Sequence, residues 1–219
     1  MSKITTLIDG PDTFEVIRDK IAQILADESA NQVTLATDAG KPNPQEWALK
    51  VYSERATPWD NNQDDEVIVN VWYDTSSVDE SASNTVESQT MRGTFNIDVI
   101  GFAVSKADGA GQLPGDEAAA LVAQRGLRLT RNIVMSSFYT YLDLRGLVGQ
   151  RMPQSLSSFQ PQLNDRANLH AVGVRFSLAV RYEEKAPQYQ AAILQELAVE
   201  VQRAEDGSVL AEVEYNYTP

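Results

Sequence analysis

Apolar residues first recur at helical spacing: Phe14, Ile17, Ile21, Ile24 and Leu25 share one face, and Asp12 with Glu15 three residues on makes a capping-box start. A helix over 12–28 is predicted. The stretch "TDAGKPNPQE" is rich in turn formers. After it Trp47, Leu49 and Val51 alternate with Ala48, Lys50 and Tyr52, as in a strand. "EVIVNVWYD", residues 66–74, is dense in β-branched and aromatic residues and predicts a second strand. A third runs from about Thr90 to Ser105. There Phe95, Ile97 and Val99 alternate with Asn96 and Asp98, which predicts one buried face and one wet face. The polar "TSSVDESASNTVESQ" between these strands carries no Gly or Pro and reads as the tip of a long antiparallel hairpin. Its length and polarity predict a mobile tip over 75–89.

"GDEAAALVAQRGLRLTRNIVMSSFYTYLDLRG" predicts a second helix, with Asp116 and Glu117 suiting its N-terminus and Arg145-Gly146 its end. Val122, Gly126, Leu129 and Ile133 form its core stripe. "MPQSLSSFQPQLND" reads as a polar loop. "LHAVGVRFSLAVRY" reads as a long strand with Val172, Val174, Phe176, Leu178 and Val180 on one side. Near the C-terminus Leu197, Val199 and Val201 alternate before Asp206-Gly207, a favoured hairpin turn, and Val209, Ala211, Val213 and Tyr215 alternate after it. Residues 187–195 fit a short helix or a loop equally well. The expected fold is α+β: an antiparallel or mixed sheet with two main helices packed on it, a long β-hairpin and a C-terminal β-hairpin extension. Residues 1–183 form the main domain and 184–219 extend it.

The composition is that of an ordinary globular chain, 219 residues with 42% hydrophobic and 22% charged. The opening "MSKITTLIDGPDTFEVIRDK" has no continuous apolar run before its acids, so no leader peptide is expected and synthesis in the cytoplasm is the default. No stretch is long and apolar enough for a membrane helix. The absence of cysteine excludes disulfides, thiolate metal sites and cysteine nucleophiles. A net charge of −13 argues against a groove that grips nucleic acid, because such binding is mostly phosphate neutralisation by Lys and Arg. Eight acids lie between Ala56 and Met91, with no Lys or Arg among them: Asp60, Asp64, Asp65, Glu66, Asp74, Asp79, Glu80 and Glu87. Conversely, Arg125, Arg128 and Arg131 recur every three residues along the second helix and form a basic ridge beside its core stripe.

Lys106-x-Asp108-Gly109 matches the short pattern of nucleotidyltransferases in which a lysine attacks a nucleotide α-phosphate. Such enzymes need further lysines and carboxylates downstream, and from 107 onward this chain offers only Lys185. Lys106 is therefore expected to be a strand-end residue. Gly109, Gly111 and Gly115 precede a helix but fit neither phosphate-loop spacing, and Asp116 and Glu117 would repel a phosphate there. His170 is the sole histidine, which leaves no multi-histidine metal site. Asp64, Asp65 and Glu66 read as a solvated turn rather than a Mg²⁺ site. No catalytic, cofactor-binding or metal-binding residue is expected.

The element order carried by "FEVIRDKIAQIL", "EVIVNVWYD", "RGTFNIDVIGFAV", "AAALVAQRGLRLTRNIV" and "LHAVGVRFSLAVRY" resembles the tail-terminator and tail-completion proteins of long-tailed bacteriophages. The resemblance covers roughly 12–183 and is one of topology, without a diagnostic motif. It implies a structural virion protein of the neck, without enzymatic activity. Subunits would form a homo-oligomeric ring, commonly a hexamer, that caps the tail tube and joins it to the head. Partners would be further copies of the chain and the tail-tube protein, with sheath and head-completion or connector proteins beside them. DNA would pass through the lumen without specific binding, repelled by an acidic wall to which Asp74, Asp79, Glu80 and Glu87 are candidates, while Arg125, Arg128 and Arg131 are candidates for the subunit interface. Another head–tail connector, a monomeric binding adaptor and the Lys106 nucleotidyltransferase are the alternatives. Lys106→Ala protein should assemble like its parent. An ATP-derived covalent adduct formed by the parent and lost in this variant would instead establish the nucleotidyltransferase.

Overall fold

The computed structural model describes residues 7–58, 67–108, 111–162, 169–185, 196–202 and 209–216. Helix α1 spans Thr13–Asp38. At its start the Glu15 carboxylate accepts the Asp12 backbone N–H at 2.9 Å, and Glu184 accepts both the N–H and the hydroxyl of Thr13. The helix runs ten residues past the predicted end. Its added turns bury Ser29 and Ala36 rather than large apolar side chains. Ser29 is nevertheless well held: its hydroxyl donates to the Trp47 carbonyl at 3.1 Å and accepts the Leu49 N–H at 2.7 Å. Hydrophobic periodicity does not register an anchor of that kind.

The segment read as one strand from Trp47 divides into a single-turn helix, Pro44–Trp47, and strand β1, Lys50–Ser53. Strands β2 (Val67–Val78) and β3 (Ser88–Val104) form the long antiparallel hairpin, in register from Val67↔Gly101 to Val78↔Met91. Next come a small antiparallel pair, β4 (Lys106–Asp108) with β5 (Gly111–Leu113), and helix α2, Gly115–Val134. Strand β6 (Val148–Phe159) pairs antiparallel with β7 (Leu169–Lys185). The main sheet has the order β1-β2-β3-β7-β6, with β1 parallel to β2. The protein is thus α+β, a five-stranded mixed sheet with two main helices packed on it. A separate two-stranded sheet pairs β8 (Glu196–Gln202) with β9 (Val209–Asn216), and Leu197, Val199 and Val201 face Tyr215, Val213 and Ala211 in its register. The main compact unit is Asp9–Glu184, and the chain on either side of it, up to Ile8 and from Lys185, is assigned to a second unit. The predicted Asp206-Gly207 turn and residues 187–195 lie outside the described residues, as do Asp60, Asp64, Asp65 and Glu66.

Two further predicted segments differ. The second helix stops at Val134, well before Arg145-Gly146, and a short turn of helix follows at Ser137–Tyr139. The stop comes from a distant residue: Arg151 on β6 donates to the carbonyls of Val134 and Ser136 at 2.7 and 2.6 Å, occupying acceptors that helix ends leave open. Gly146, at φ 85°, serves a later turn. The segment 152–165, read as a loop, contributes most of β6. This strand lies at the edge of the sheet and is mainly exposed, so it has little apolar alternation to display.

Both helices lie over the same face of the sheet. Ile17, Ile21 and Leu25 of α1 and Val122 and Ile133 of α2 share one core with Val69, Val71, Phe95, Ile97, Val99, Phe176, Leu178 and Val180. The contact of α2 with the sheet depends on two glycines. A Cβ on Gly101 of β3 would lie 2.4 Å from the Ala123 backbone nitrogen and 2.5 Å from the Ala119 carbonyl oxygen. A Cβ on Gly126 of α2 would lie 2.4 Å from Val67 Cγ1 and 2.9 Å from Val99 Cγ1. At Gly101 the strand backbone meets the helix backbone with no side chain between them, and at Gly126 the helix backbone rests on valine methyl groups.

The opposite face holds a smaller apolar cluster of Ile68, Ile100, Phe102 and Ala171. Beside it lies a polar group that the sequence pattern assigned to water. Asn96 and Asp98 are buried. Asp98 accepts Arg175 Nε at 2.7 Å and Nη2 at 2.9 Å, and Trp72 Nε1 at 3.0 Å. Arg175 in turn stacks over the rings of Trp72 and Phe159, 4.7 and 5.5 Å from their centres. The Ser177 hydroxyl donates to Asn96 Oδ1 at 2.6 Å. Asp98 thus accepts three hydrogen bonds and Asn96 Oδ1 one, which is what makes burying them tolerable.

Gly101→Ala and Gly126→Ala should each cost about 1–3 kcal/mol through overpacking, even though alanine is intrinsically the better helix residue at 126 by about 1 kcal/mol. For a chain of this size that corresponds to a melting temperature lower by roughly 2–12 °C. Gly101→Ala should be the worse of the two, because backbone rather than methyl groups stands in its way. Thermal unfolding at neutral pH measures both, and an unchanged midpoint for Gly101→Ala would contradict the close approach.

Candidate functional site

A groove of about 890 Å³ lies between α1, α2 and the segment after α2. That size suits a small molecule or a short peptide segment. Arg125, Arg128 and Leu129 line it from α2, Glu28 from α1, Glu46 and Trp47 from the turn before β1, and Phe138, Tyr139 and Asp143 from beyond α2. The early end of α2 makes the groove. Had the helix continued, Phe138 and Tyr139 would not sit on the short turn of helix that closes it.

Charges inside the groove are partly satisfied. Arg125 Nη1 pairs with Glu46 Oε2 at 3.1 Å, while Arg125 Nε is buried without a hydrogen-bond acceptor. The Tyr139 hydroxyl donates to Glu28 Oε1 at 2.6 Å. That bond, then desolvation, pushes the Tyr139 pKa up to about 12, since ionisation would place a phenolate against a carboxylate. Arg128 is exposed and has no carboxylate partner among the described residues. Phe138 is 89% exposed on the rim. Close by, Leu142 and Asp143 both have positive φ, 51° and 54°, with the Leu142 side chain fully buried.

The structure separates the predicted arginine ridge. Arg125 and Arg128 border the groove, whereas Arg131 is exposed and not part of its lining. Arg125 was expected to be free for a neighbour and is instead paired within its own chain. Glu28, Glu46, Trp47 and Tyr139 had not been singled out. Their convergence needs the extended α1 and the shortened α2, and neither leaves a local signal.

The acidic hairpin also resolves into different roles. Asp74, Glu80 and Glu87 are exposed, but Asp79 is buried. Its carboxylate accepts the Ser81 hydroxyl at 2.6 Å and the Ser81 N–H at 3.1 Å, bonds that hold its pKa below the usual carboxylate range, with Arg92 Nη2 at 3.3 Å adding to them. Arg181 Nε lies 3.1 Å from the same oxygen as an ion pair. The Asp79 N–H donates to the Thr90 carbonyl, and Asn84 bridges the Asp79 carbonyl and the Thr90 N–H. The tip over 75–89 is a turn braced by these internal bonds, although Ser81, Asn84 and Thr85 are also exposed. Asp79 is accordingly withdrawn from any acidic outer wall.

Lys106 opens β4 and is exposed; Gly109 lies outside the described residues. His170 is the second residue of β7, exposed, with its ring against Gly115. Among the described residues no three His, Asp or Glu side chains converge as metal ligands would. Likewise, no helix among them is long and apolar enough to cross a membrane. No family model matches the chain, and no curated protein matches its sequence.

A phenolate titration should show a component near pH 12 from Tyr139, joined there by Tyr182, whose pKa burial raises to about 12. Both folded values lie above the unfolded value of about 10. The stability they contribute is therefore whole below pH 10 and lost as pH rises through 12. Tyr139→Phe should remove one phenol from this component. A high-pH component of unchanged size would mean that the Tyr139–Glu28 bond does not form.

Proposed function

We propose that this chain is a structural virion subunit of the phage neck, which assembles into a homo-oligomeric ring that terminates the tail tube and joins it to the head. The observation that carries this reading is the architecture: two helices on one face of a mixed sheet, in the order helix, strand, long two-stranded hairpin, a small strand pair, helix and two further strands. A hairpin whose tip is cross-braced supports it, because a ring subunit needs an ordered element to meet a neighbour. Exposed Asp74, Glu80 and Glu87 together with the net charge of −13 suit a wall past which DNA slides without adhering. Arg128 and Arg131 remain available to carboxylates of an adjoining copy. A heterologous contact of this kind closes into a ring when the rotation permits. Exposed ion pairs contribute only about 0–1 kcal/mol each, so they would tune register while apolar contacts supply most of the association energy.

A second reading follows from the groove, whose aromatic and cationic lining also suits a monomeric adaptor that binds a peptide or small ligand. Native mass measurement distinguishes the two. A closed oligomer, six-fold by the expectation above, should form alone or on mixing with purified tail tubes, and should be visible as rings in the electron microscope. Reversing Arg128 and Arg131 together to Glu should weaken assembly more at low salt than at high salt. A strict monomer under both conditions would defeat the ring and leave the adaptor.

A further inference from the structure

The ring reading leaves open which surfaces meet. We infer that the tip of the β2–β3 hairpin of one subunit docks into the α1–α2 groove of the next, an inference that rests on that reading. Two observations on the tip point to it. Val78 and Val86 stand out at 42% and 83% exposure on an otherwise polar turn. Exposed Glu80 and Glu87 lie beside them, so the tip presents apolar side chains flanked by negative charge. The tip is also held in shape by the Asp79 bonds to Ser81, Arg92 and Thr90, so docking would not first have to order it.

The groove presents the complement. Leu129 and Trp47 line it and Phe138 stands exposed on its rim, which provides an apolar seat for a valine. Of its three carboxylates only Glu46 has a cationic partner, Arg125; Glu28 accepts the neutral Tyr139 hydroxyl and, with Asp143, would repel an incoming acid, so the positive charge offered to the tip is confined to the α2 side. Arg128 is the guanidinium left without a partner among the described residues, and Arg131 stands one turn further along the same helix. Asp143 would repel the acids of an incoming tip, so Glu80 and Glu87 should turn toward the α2 side. Tip and groove are different surfaces of one subunit, so their pairing is head-to-tail and propagates from copy to copy, as a ring requires. The hairpin tip then belongs to the subunit boundary, and the acids left for the lumen are those along its stem, such as Asp74.

Because the chain contains no cysteine, introduced thiols report this contact without background. Val86→Cys and Phe138→Cys in one chain should give, under mild oxidation, a ladder of disulfide-linked oligomers that ends at the subunit number found by native mass measurement. Each single variant should stay uncross-linked, and the two single variants mixed should give a linked dimer. Arg128→Glu should weaken association up to about fivefold at low salt, and Glu87→Lys in the same chain should recover part of the loss. An oligomeric parent whose double-cysteine variant yields no ladder would overturn the tip-in-groove contact and leave the ring standing. Linkage through Val86→Cys alone would mean tip-to-tip pairing and overturn it equally. A parent that is monomeric throughout would remove the ring reading and this inference with it.

Discussion

The seating of α2 directly on β3 is the constraint from which most of the main unit follows. Gly101 and Gly126, with Ala119 and Ala123, remove the side chains that would otherwise separate helix from sheet. Sheet-facing valines then fill the space beside the contact, and the angle of the helix has little freedom, because its backbone meets backbone. The opposite side of α2, carrying Arg125 and Arg128, is thereby presented toward α1 and the Glu46–Trp47 turn. The groove is a consequence of this packing.

Charge is used in two ways. Asp98–Arg175 and Asp79–Arg92–Arg181 place carboxylates at points where strands must be held together, each inside a set of donors that offsets its desolvation. Removing one partner of such a set would cost more than the set contributes, since a buried charge would be left alone. Glu54 acts in a related way at the other edge. With φ at 53° it turns the chain away after β1, and its carboxylate accepts the Tyr73 N–H at 2.9 Å, closing part of the β2 edge that β1 is too short to cover. Asp74, Glu80 and Glu87 stay on the surface.

The groove shows how a binding surface can arise from where helices stop. Arg151, anchored on an edge strand, caps the end of α2 through the Val134 carbonyl and binds the Ser136 carbonyl beyond it, and the chain then turns through Leu142 and Asp143 at positive φ. Two aromatic residues that would otherwise have continued a helix are left at the mouth of a cavity.

The amino-acid order alone determined the element types wherever one face is buried. The α1 stripe from Phe14 to Leu25, the alternations through Val69, Ile97 and Leu178, and the α+β class all follow from apolar side chains recurring at 3.6 or 2 residues. Those signals are local, and burial amplifies them. Tertiary structure alone decided the points where a polar residue is satisfied from far along the chain. Ser29 prolongs α1 through Trp47 and Leu49, Arg151 stops α2, and Asp98 is buried because Arg175 lies 77 residues away. Asp79 turns a polar linker into a braced tip by the same means. A polar side chain has the same identity whether water or a distant partner satisfies it, so periodicity cannot distinguish the two. The three arginines were legible as a ridge; that one of them pairs with Glu46 and another faces an open groove depended on where α1 and the Glu46–Trp47 turn come to lie.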